Sequence, residues 1–151
     1  MSNFRDQQFS NRFQAMGDEA EGKFDELFPA HHKLGLNRPK MHVASMSLKA
    51  RYTPDRQLTD RLVEVMGCGK DQILKLKIEK LIALMQWRAT DPVDMFLWDS
   101  KNERWCMGPL DEYVDATYQF GEYGAFDDGK KPYVGLRTRH VPFAWVKLES
   151  S

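Results

Sequence analysis

The chain has 151 residues with 22 basic and 22 acidic side chains, so its formal net charge is zero and bulk electrostatics do not announce a nucleic-acid partner. A hydrophobic content of 42% with 29% charged residues fits a single globular domain with a real core and excludes a disordered chain. No apolar run reaches membrane-spanning length and the start MSNFRDQQFSNRF lacks a secretory centre, while the isolated Cys68 and Cys106 suit a reducing cytoplasm.

Residues 9 to 28 carry Phe13, Met16, Ala20, Phe24 and Leu27 at the three-and-four spacing of one buried stripe, which predicts a first helix closed by Pro29. Glu21 falls beside that stripe and Glu19 points further towards solvent. Which of them reaches a neighbouring cleft stays open, as does the plain reading of a solvated helix flank. His31-His32-Lys33 and Gly35 to Pro39 read as a polar loop, touching phosphate at most, because adjacent histidines cannot both face one metal in a regular element. Residues 41 to 51 alternate as a strand, which Pro54-Asp55 closes. After a turn at 57 to 60, residues 61 to 66 return as a strand buried on both faces, and Gly67-Cys68-Gly69 frees the backbone for a tight exit.

Residues 70 to 87 read as the second helix, with Leu74, Ile78, Leu81, Ile82 and Met85 as its stripe. Lys77 lies inside the angular range of that stripe and Lys70 seven residues earlier on the same side, while Lys75 and Lys80 splay outward. Pro92 breaks the helix. Residues 93 to 99 and 103 to 107 follow as strands, and 109 to 119 as a short helix. The tail, rich in glycine, proline and aromatics, holds strands at 133 to 139 and 144 to 148.

Two acids stand out. Glu64 sits inside the apolar run Leu62-Val63-Glu64-Val65-Met66, where a charge is costly to bury unless something pairs with it, and Asp55 lies nine residues earlier. A bound cation would offset that cost. So would a plain ion pair between Glu64 and Lys77, with Asp55 only capping a turn after Pro54. Cys68 lacks a histidine partner at a defined spacing, and Gly67 to Gly69 lacks the Gly-Lys-Ser/Thr ending of a P-loop.

Thr53-Pro54-Asp55, followed by Glu64-Val65-Met66 in an apolar strand, resembles the PD-(D/E)XK nuclease motif. Gly17-Asp18-Glu19-Ala20-Glu21 is similar to the helical acidic motif that precedes it in that superfamily, and Lys70-Asp71-Gln72 to the start of the helix that follows. The resemblance covers about residues 9 to 100 and is nearest to small phage-type nucleases of the Holliday-junction-resolvase and VRR kind. It implies an α/β fold with a restriction-endonuclease-like αβββαβ core, a central mixed sheet flanked by helices. One nuclease-like domain would span residues 1 to 151, its core at about 9 to 107 and an aromatic, basic extension at 108 to 151.

The same resemblance implies Mg²⁺ or Mn²⁺ held by Asp55 and Glu64, with the backbone carbonyl of Val65 completing the inner shell and Glu21 joining directly or through water. The family's motif lysine orients the attacking water or stabilises transition-state charge. Here that position is Met66, whose thioether can neither carry positive charge nor donate a hydrogen bond. Lys77 or Lys70 on the following helix is placed to take over the task; otherwise the site has lost catalysis and keeps the fold for binding. The retention of all three acids favours the migrated lysine.

DNA contacts would come from Arg51, Arg56, Arg61 and Lys70 around the acids and from Lys130, Lys131, Arg137, Arg139 and His140 in the tail. Tyr118, Phe120, Tyr123 and Phe126 are candidates for stacking on unpaired bases. The expectation is a metal-dependent DNA endonuclease acting on branched or recombining DNA, a homodimer because enzymes that cut two strands commonly work as symmetric pairs, in a bacterial or phage-infected cytoplasm. Its rival is a catalytically inactive DNA- or protein-binding module on the same fold.

Overall fold

The computed structural model describes residues 4–33, 49, 52–127 and 129–148, with side chains from residue 16 onward except that of His32. The strand expected at 41 to 51, and with it Arg51, lies outside the described residues. The first helix, α1 (Phe4–Leu27), begins earlier than its apolar stripe requires. It buries Ala20 and Phe24, one turn apart, against Val63 and Val65 of β3 (Leu62–Cys68) and Phe96 and Trp98 of β5 (Val93–Asp99). A Cβ on Gly67 would stand 3.1 Å from Ala20 Cβ and 3.3 Å from the Met16 sulfur, so this glycine sets how closely the helix lies on the strand.

β3 and β5 are the centre of a six-stranded mixed sheet of order β1-β2-β3-β5-β6-β9, completed by β1 (His32–Lys33), β2 (Arg56–Gln57), β6 (Arg104–Pro109) and β9 (Val146–Lys147). β3 and β5 run parallel; the other neighbours are antiparallel. The crossover between the parallel pair passes through β4 (Ile73–Lys77) and α2 (Ile78–Arg88). β5 is buried along its whole length, as a strand covered on both faces must be. α1 covers one face. Leu62, Met95 and Leu97 point to the other, into a core shared with Leu84 of α2, Leu110 and Tyr113 of α3 (Leu110–Phe120), and Leu74, Leu76, Val134 and Leu136 of a second sheet. That second sheet is antiparallel with order β4-β8-β7, where β7 is Glu122–Ala125 and β8 is Pro132–Arg137. The chain is thus mixed α/β, and no helix among the described residues is long and apolar enough to cross a membrane.

The structure corrects the expected helix at 70 to 87. Its first part is β4, and only Ile78 onward is helical. Leu74-Lys75-Leu76-Lys77 alternates with period two, burying the leucines, and this backbone pairs with β8 from Ile73 opposite Arg137 to Lys77 opposite Tyr133. The same residues also satisfy a helical stripe; the tertiary pairing decides. The strand expected to end at 66 continues through Gly67 to Cys68, and the bend comes at Gly69 to Gln72, where Gln72 holds a left-handed φ of 58°. One central sheet was expected and two are found, because the tail pairs with β4 through β8 and with β6 through β9. The strand expected to reach 139 stops at Arg137, and Thr138–His140 forms a 3-10 turn whose first N–H donates to the Gln72 carbonyl at 3.0 Å.

Candidate active site

The hairpin register brings the two acids together. β2 pairs with β3 at two positions, Arg56 opposite Val63 and Gln57 opposite Leu62. Asp55 stands in the bend just before this ladder, close enough to Glu64 for the two carboxyls to act on one another, which gives the nine-residue spacing its structural meaning. The pairing ends at Arg56, and Pro54, which cannot donate to a ladder, lies two residues before it. Beyond that short edge the Val65 N–H donates to Asp55 Oδ2 at 3.1 Å instead.

Glu64 is 0% exposed. Lys80, in the first turn of α2, brings its Nζ to 3.1 Å from Glu64 Oε2. This is an ion pair by distance without hydrogen-bond alignment, so neither enclosed carboxylate oxygen accepts a well-directed hydrogen bond. Burial pushes the Glu64 carboxyl well above its ordinary range; Lys80 draws it down, and the neighbouring Asp55 adds to the rise. Burial also disfavours the Lys80 ammonium, but Glu64 and Asp55 together hold it above its usual value.

Arg56, expected as a DNA contact, is 5% exposed and faces inward. Its Nε and Nη2 donate to the two Asp25 oxygens at 2.9 and 3.2 Å, and its Nη1 donates to Glu21 Oε1 at 3.1 Å and to the Asp55 carbonyl at 2.9 Å. A planar guanidinium suits this fork, and it ties α1 to the backbone of the acid pair. Burial raises the Glu21 carboxyl, Asp55 raises it further, and Arg56 opposes both. Burial would also raise Asp25, but Arg56, His31 and Lys33 together keep it below the ordinary carboxylate range. Of the two candidate acids on α1, Glu21 therefore lies beside Asp55, whereas Glu19 faces the Ser100 hydroxyl at 3.0 and 3.1 Å. His31 is also taken up internally, with Nε2 2.9 Å from Asp25 Oδ1.

A cavity of about 160 Å³ opens beside the pair between α1, β3 and β4, with Tyr52, Met66, Lys75, Lys77 and Lys80 in its lining. Lys77 occupies the N-cap position of α2, and Lys70 is exposed in the turn before β4. Lys80 is the lysine that meets Glu64, and the sequence reading placed it outward. The helix buries Ala83 and Leu84 and leaves Ile82 and Met85 of the expected stripe 46% and 49% exposed, and Lys80 stands one turn before Leu84 on that buried face.

The remaining basic candidates are dispersed. Arg61 pairs with Asp94 at 2.8 Å and with Asp60 at 3.0 Å. Lys131 pairs with Glu79 at 3.1 Å, near the cavity, since the Tyr52 hydroxyl donates to the same Glu79 oxygen at 3.0 Å. Arg137 pairs with Glu122 at 3.0 Å, at the far end of β8, and Lys130 and Arg139 are exposed. Tyr118 and Tyr123 are exposed, Phe120 stacks on His140, and Phe126 is buried against Tyr133, which removes it as a base-stacking residue. Burial pushes the Cys68 and Cys106 thiols up to about 12, so neither supplies a thiolate at neutral pH.

Asp55 and Glu64 offer the hard oxygen donors that a divalent cation takes, and the undirected Glu64 oxygens fit that role. Among the described residues no group of three or more His, Cys, Asp or Glu side chains forms a metal-binding cluster, the third acid, Glu21, being turned onto Arg56. Compared with family models, curated proteins and solved structures, the chain finds no match in any of the three.

Proposed function

We propose that this chain is a metal-dependent nuclease that hydrolyses phosphodiester bonds in DNA, built on a restriction-endonuclease-like core. The observation that carries the reading is the meeting of Asp55, Glu64 and Lys80 at one point of the sheet. The order of the described elements supports the core: α1, the antiparallel strands β1, β2 and β3, the crossover helix α2 and the parallel strand β5, with β4 as an addition within the crossover.

In this reading Asp55, Glu64 and the Val65 carbonyl hold Mg²⁺ or Mn²⁺, and Glu21 joins directly or through water. The bound ion supplies Lewis-acid stabilisation of phosphoryl charge and a more acidic water. Lys80 performs what Met66 cannot: it keeps an ammonium beside the acids, where it orients the water or meets charge developing on the phosphate. It takes the place assigned by the sequence to Lys77 or Lys70. Arg56 is a positioning residue, fixing Glu21 and the Asp55 backbone. The outer basic groups, Arg61, Lys130, Lys131, Arg137 and Arg139, neutralise DNA phosphates, and a homodimer in a bacterial or phage-infected cytoplasm cuts two strands of a branched or recombining substrate.

A second reading, a retired site that keeps DNA or protein binding, has one observation in its favour. Lys80 already compensates Glu64, and no three-acid cluster forms among the described residues. Supercoiled plasmid and a four-way junction, incubated with Mg²⁺ or Mn²⁺ beside a Glu64→Ala control, separate the two. Metal-dependent cutting that vanishes in the control supports the nuclease, and tight binding without cutting selects the binding module.

A further inference from the structure

The cavity beside the acid pair opens on an unpaired stretch of strand. β2 pairs with β3 only at Leu62 and Val63, so from Glu64 to Cys68 the edge of β3 away from β5 has no strand partner among the described residues. Backbone groups alternate between the two edges of a strand. The Leu62 N–H and the Cys68 carbonyl bond on the β5 side, to the Pro92 carbonyl and the Ser100 N–H, while the Val65 N–H bonds on the other side, to Asp55. Gly67, two residues past Val65, therefore presents its N–H and C=O to the open edge, and it lines the cavity. Met66 forms one wall, and on the other Met16 of α1 brings its sulfur 3.3 Å from where a Gly67 Cβ would stand. Gly17, one turn before Glu21 on α1, also lines the cavity, and a Cβ there would meet nothing within 4 Å. Lys75 and Lys80 border it with their ammonium groups compensated, by Asp71 at 3.6 Å and Glu64 at 3.1 Å, so a neutral ligand meets no uncompensated charge from either.

Size and hydrogen bonding narrow the ligand. An apolar protein cavity of about 150 Å³ holds one benzene ring, and this one measures about 160 Å³, room for a single six-membered ring and too little for the fused rings of a purine. Thioethers on either side suit an aromatic ring, since methionine sulfur packs favourably against one. A donor and an acceptor side by side on Gly67 match the pairing edge of a pyrimidine, N3–H beside O4 in thymine and N4–H beside N3 in cytosine. That is the edge by which a protein pocket reads an unstacked base. We infer that the cavity takes one unpaired pyrimidine base of a DNA strand, its ring between Met16 and Met66 and its pairing edge on the Gly67 backbone. The inference rests on the nuclease reading, whose Asp55 bonds to the same strand edge, and names the substrate feature that the site recognises: a base released from its partner, as branched DNA offers. Met66 then has a task of its own, as a wall of the base pocket.

The test is equilibrium binding followed by fluorescence anisotropy in EDTA, where no metal-dependent cutting takes place. Duplexes with a one-nucleotide bulge of thymine, of adenine or of an abasic site are compared with the fully paired duplex, and thymidine serves as a competitor. The thymine bulge is expected to bind about tenfold tighter than the abasic one, the scale of one base stacked in a protein site. The adenine bulge is expected to bind like the abasic one. Gly17→Leu fills the cavity from α1 and removes the thymine advantage without changing affinity for the paired duplex. Gly22→Leu, the same exchange at an exposed position of that helix, keeps the advantage. Leucine is the better helix former at both positions, and circular dichroism melts verify that each variant folds. Equal affinity of the wild type for the thymine and abasic bulges overturns the inference, as does a thymine advantage that survives Gly17→Leu or an adenine bulge bound as tightly as thymine. Thymidine that competes as strongly as the bulged duplex also overturns it, in favour of a free nucleoside. Base discrimination without metal-dependent cutting leaves the pocket standing and removes the nuclease, whereas cutting without discrimination does the reverse.

Discussion

Replacing Lys80 by methionine isolates the electrostatics of the buried acid. The ammonium lies 3.1 Å from Glu64 Oε2, the Glu64 side chain is 1% exposed and that of Lys80 is 28% exposed. Removing one partner of a fully buried pair costs about 3–5 kcal/mol, because the other charge is stranded. Lys80 is partly solvated and Glu64 can take up a proton, which brings the loss to about 2–3 kcal/mol at pH 8. In a chain of this size that lowers Tm by about 5–10 °C. The folded-state pKa of Glu64 lies above its unfolded value, so the native state holds the proton more tightly and stability falls as pH rises above about 4.3. Without Lys80 the carboxyl rises further and the fall steepens. As pH falls and Glu64 takes up its proton, the lysine is needed less and the deficit shrinks. Melts of wild type and Lys80→Met followed by circular dichroism from pH 5 to pH 8 measure this convergence. A deficit of the same size at both ends of the range would refute the pairing argument.

Arg56→Lys loses the fork that joins Asp25, Glu21 and the Asp55 carbonyl, and should cost about 2 kcal/mol in urea unfolding. Because Arg56 is 5% exposed, the slope of log Kd for DNA against log salt should not change, as it would for a phosphate contact. Gly67→Val forces atoms onto Ala20 and the Met16 sulfur, and should cost about 1–3 kcal/mol, with Gly67→Ala milder, both read from thermal melts. Asp99 is 0% exposed and accepts from Gln72 Nε2, Asn102 Nδ2 and Arg104 Nε at 2.8, 2.9 and 2.7 Å, so Asp99→Ala should cost about 3 kcal/mol. Burial would raise the Asp99 carboxyl, but these donors hold it below its ordinary value. Its contribution is therefore full above about pH 4 and lost as pH falls through the folded pKa, and Asp99→Asn should flatten the acid side of a stability–pH curve.

Glu64 was legible because a charge inside Leu62-Val63-Glu64-Val65-Met66 has no cheap explanation, and Asp55 because its spacing matches a hairpin that faces it. Lys80 was not. Leu74 to Ile78 fits a period of two and also the helical stripe that runs on to Met85, and only the pairing of β4 with β8, a partner about sixty residues away, fixes where the helix begins. That choice moved Lys77 to the N-cap, and Lys80 faces inward because the helix buries the face of Ala83 and Leu84 rather than that of Ile82 and Met85. Arg56 was misread for a related reason: its neighbours in sequence are polar, and the acids that bury it, Glu21 and Asp25, stand on α1 more than thirty residues before it. Local pattern places elements, but long-range pairing decides which charged side chain an element presents to the site.

Transplanting the lysine tests the central claim most directly. Met66 and Lys80 line one cavity, so plasmid cleavage with Mn²⁺ is compared for wild type, Lys80→Met and the double variant Lys80→Met with Met66→Lys. If Lys80 is the lysine of a nuclease site, the single variant loses about 10²-fold in rate and the double variant recovers a measurable part of it. Undiminished cutting in folded Lys80→Met, or no metal-dependent cutting by the wild type, would contradict the account.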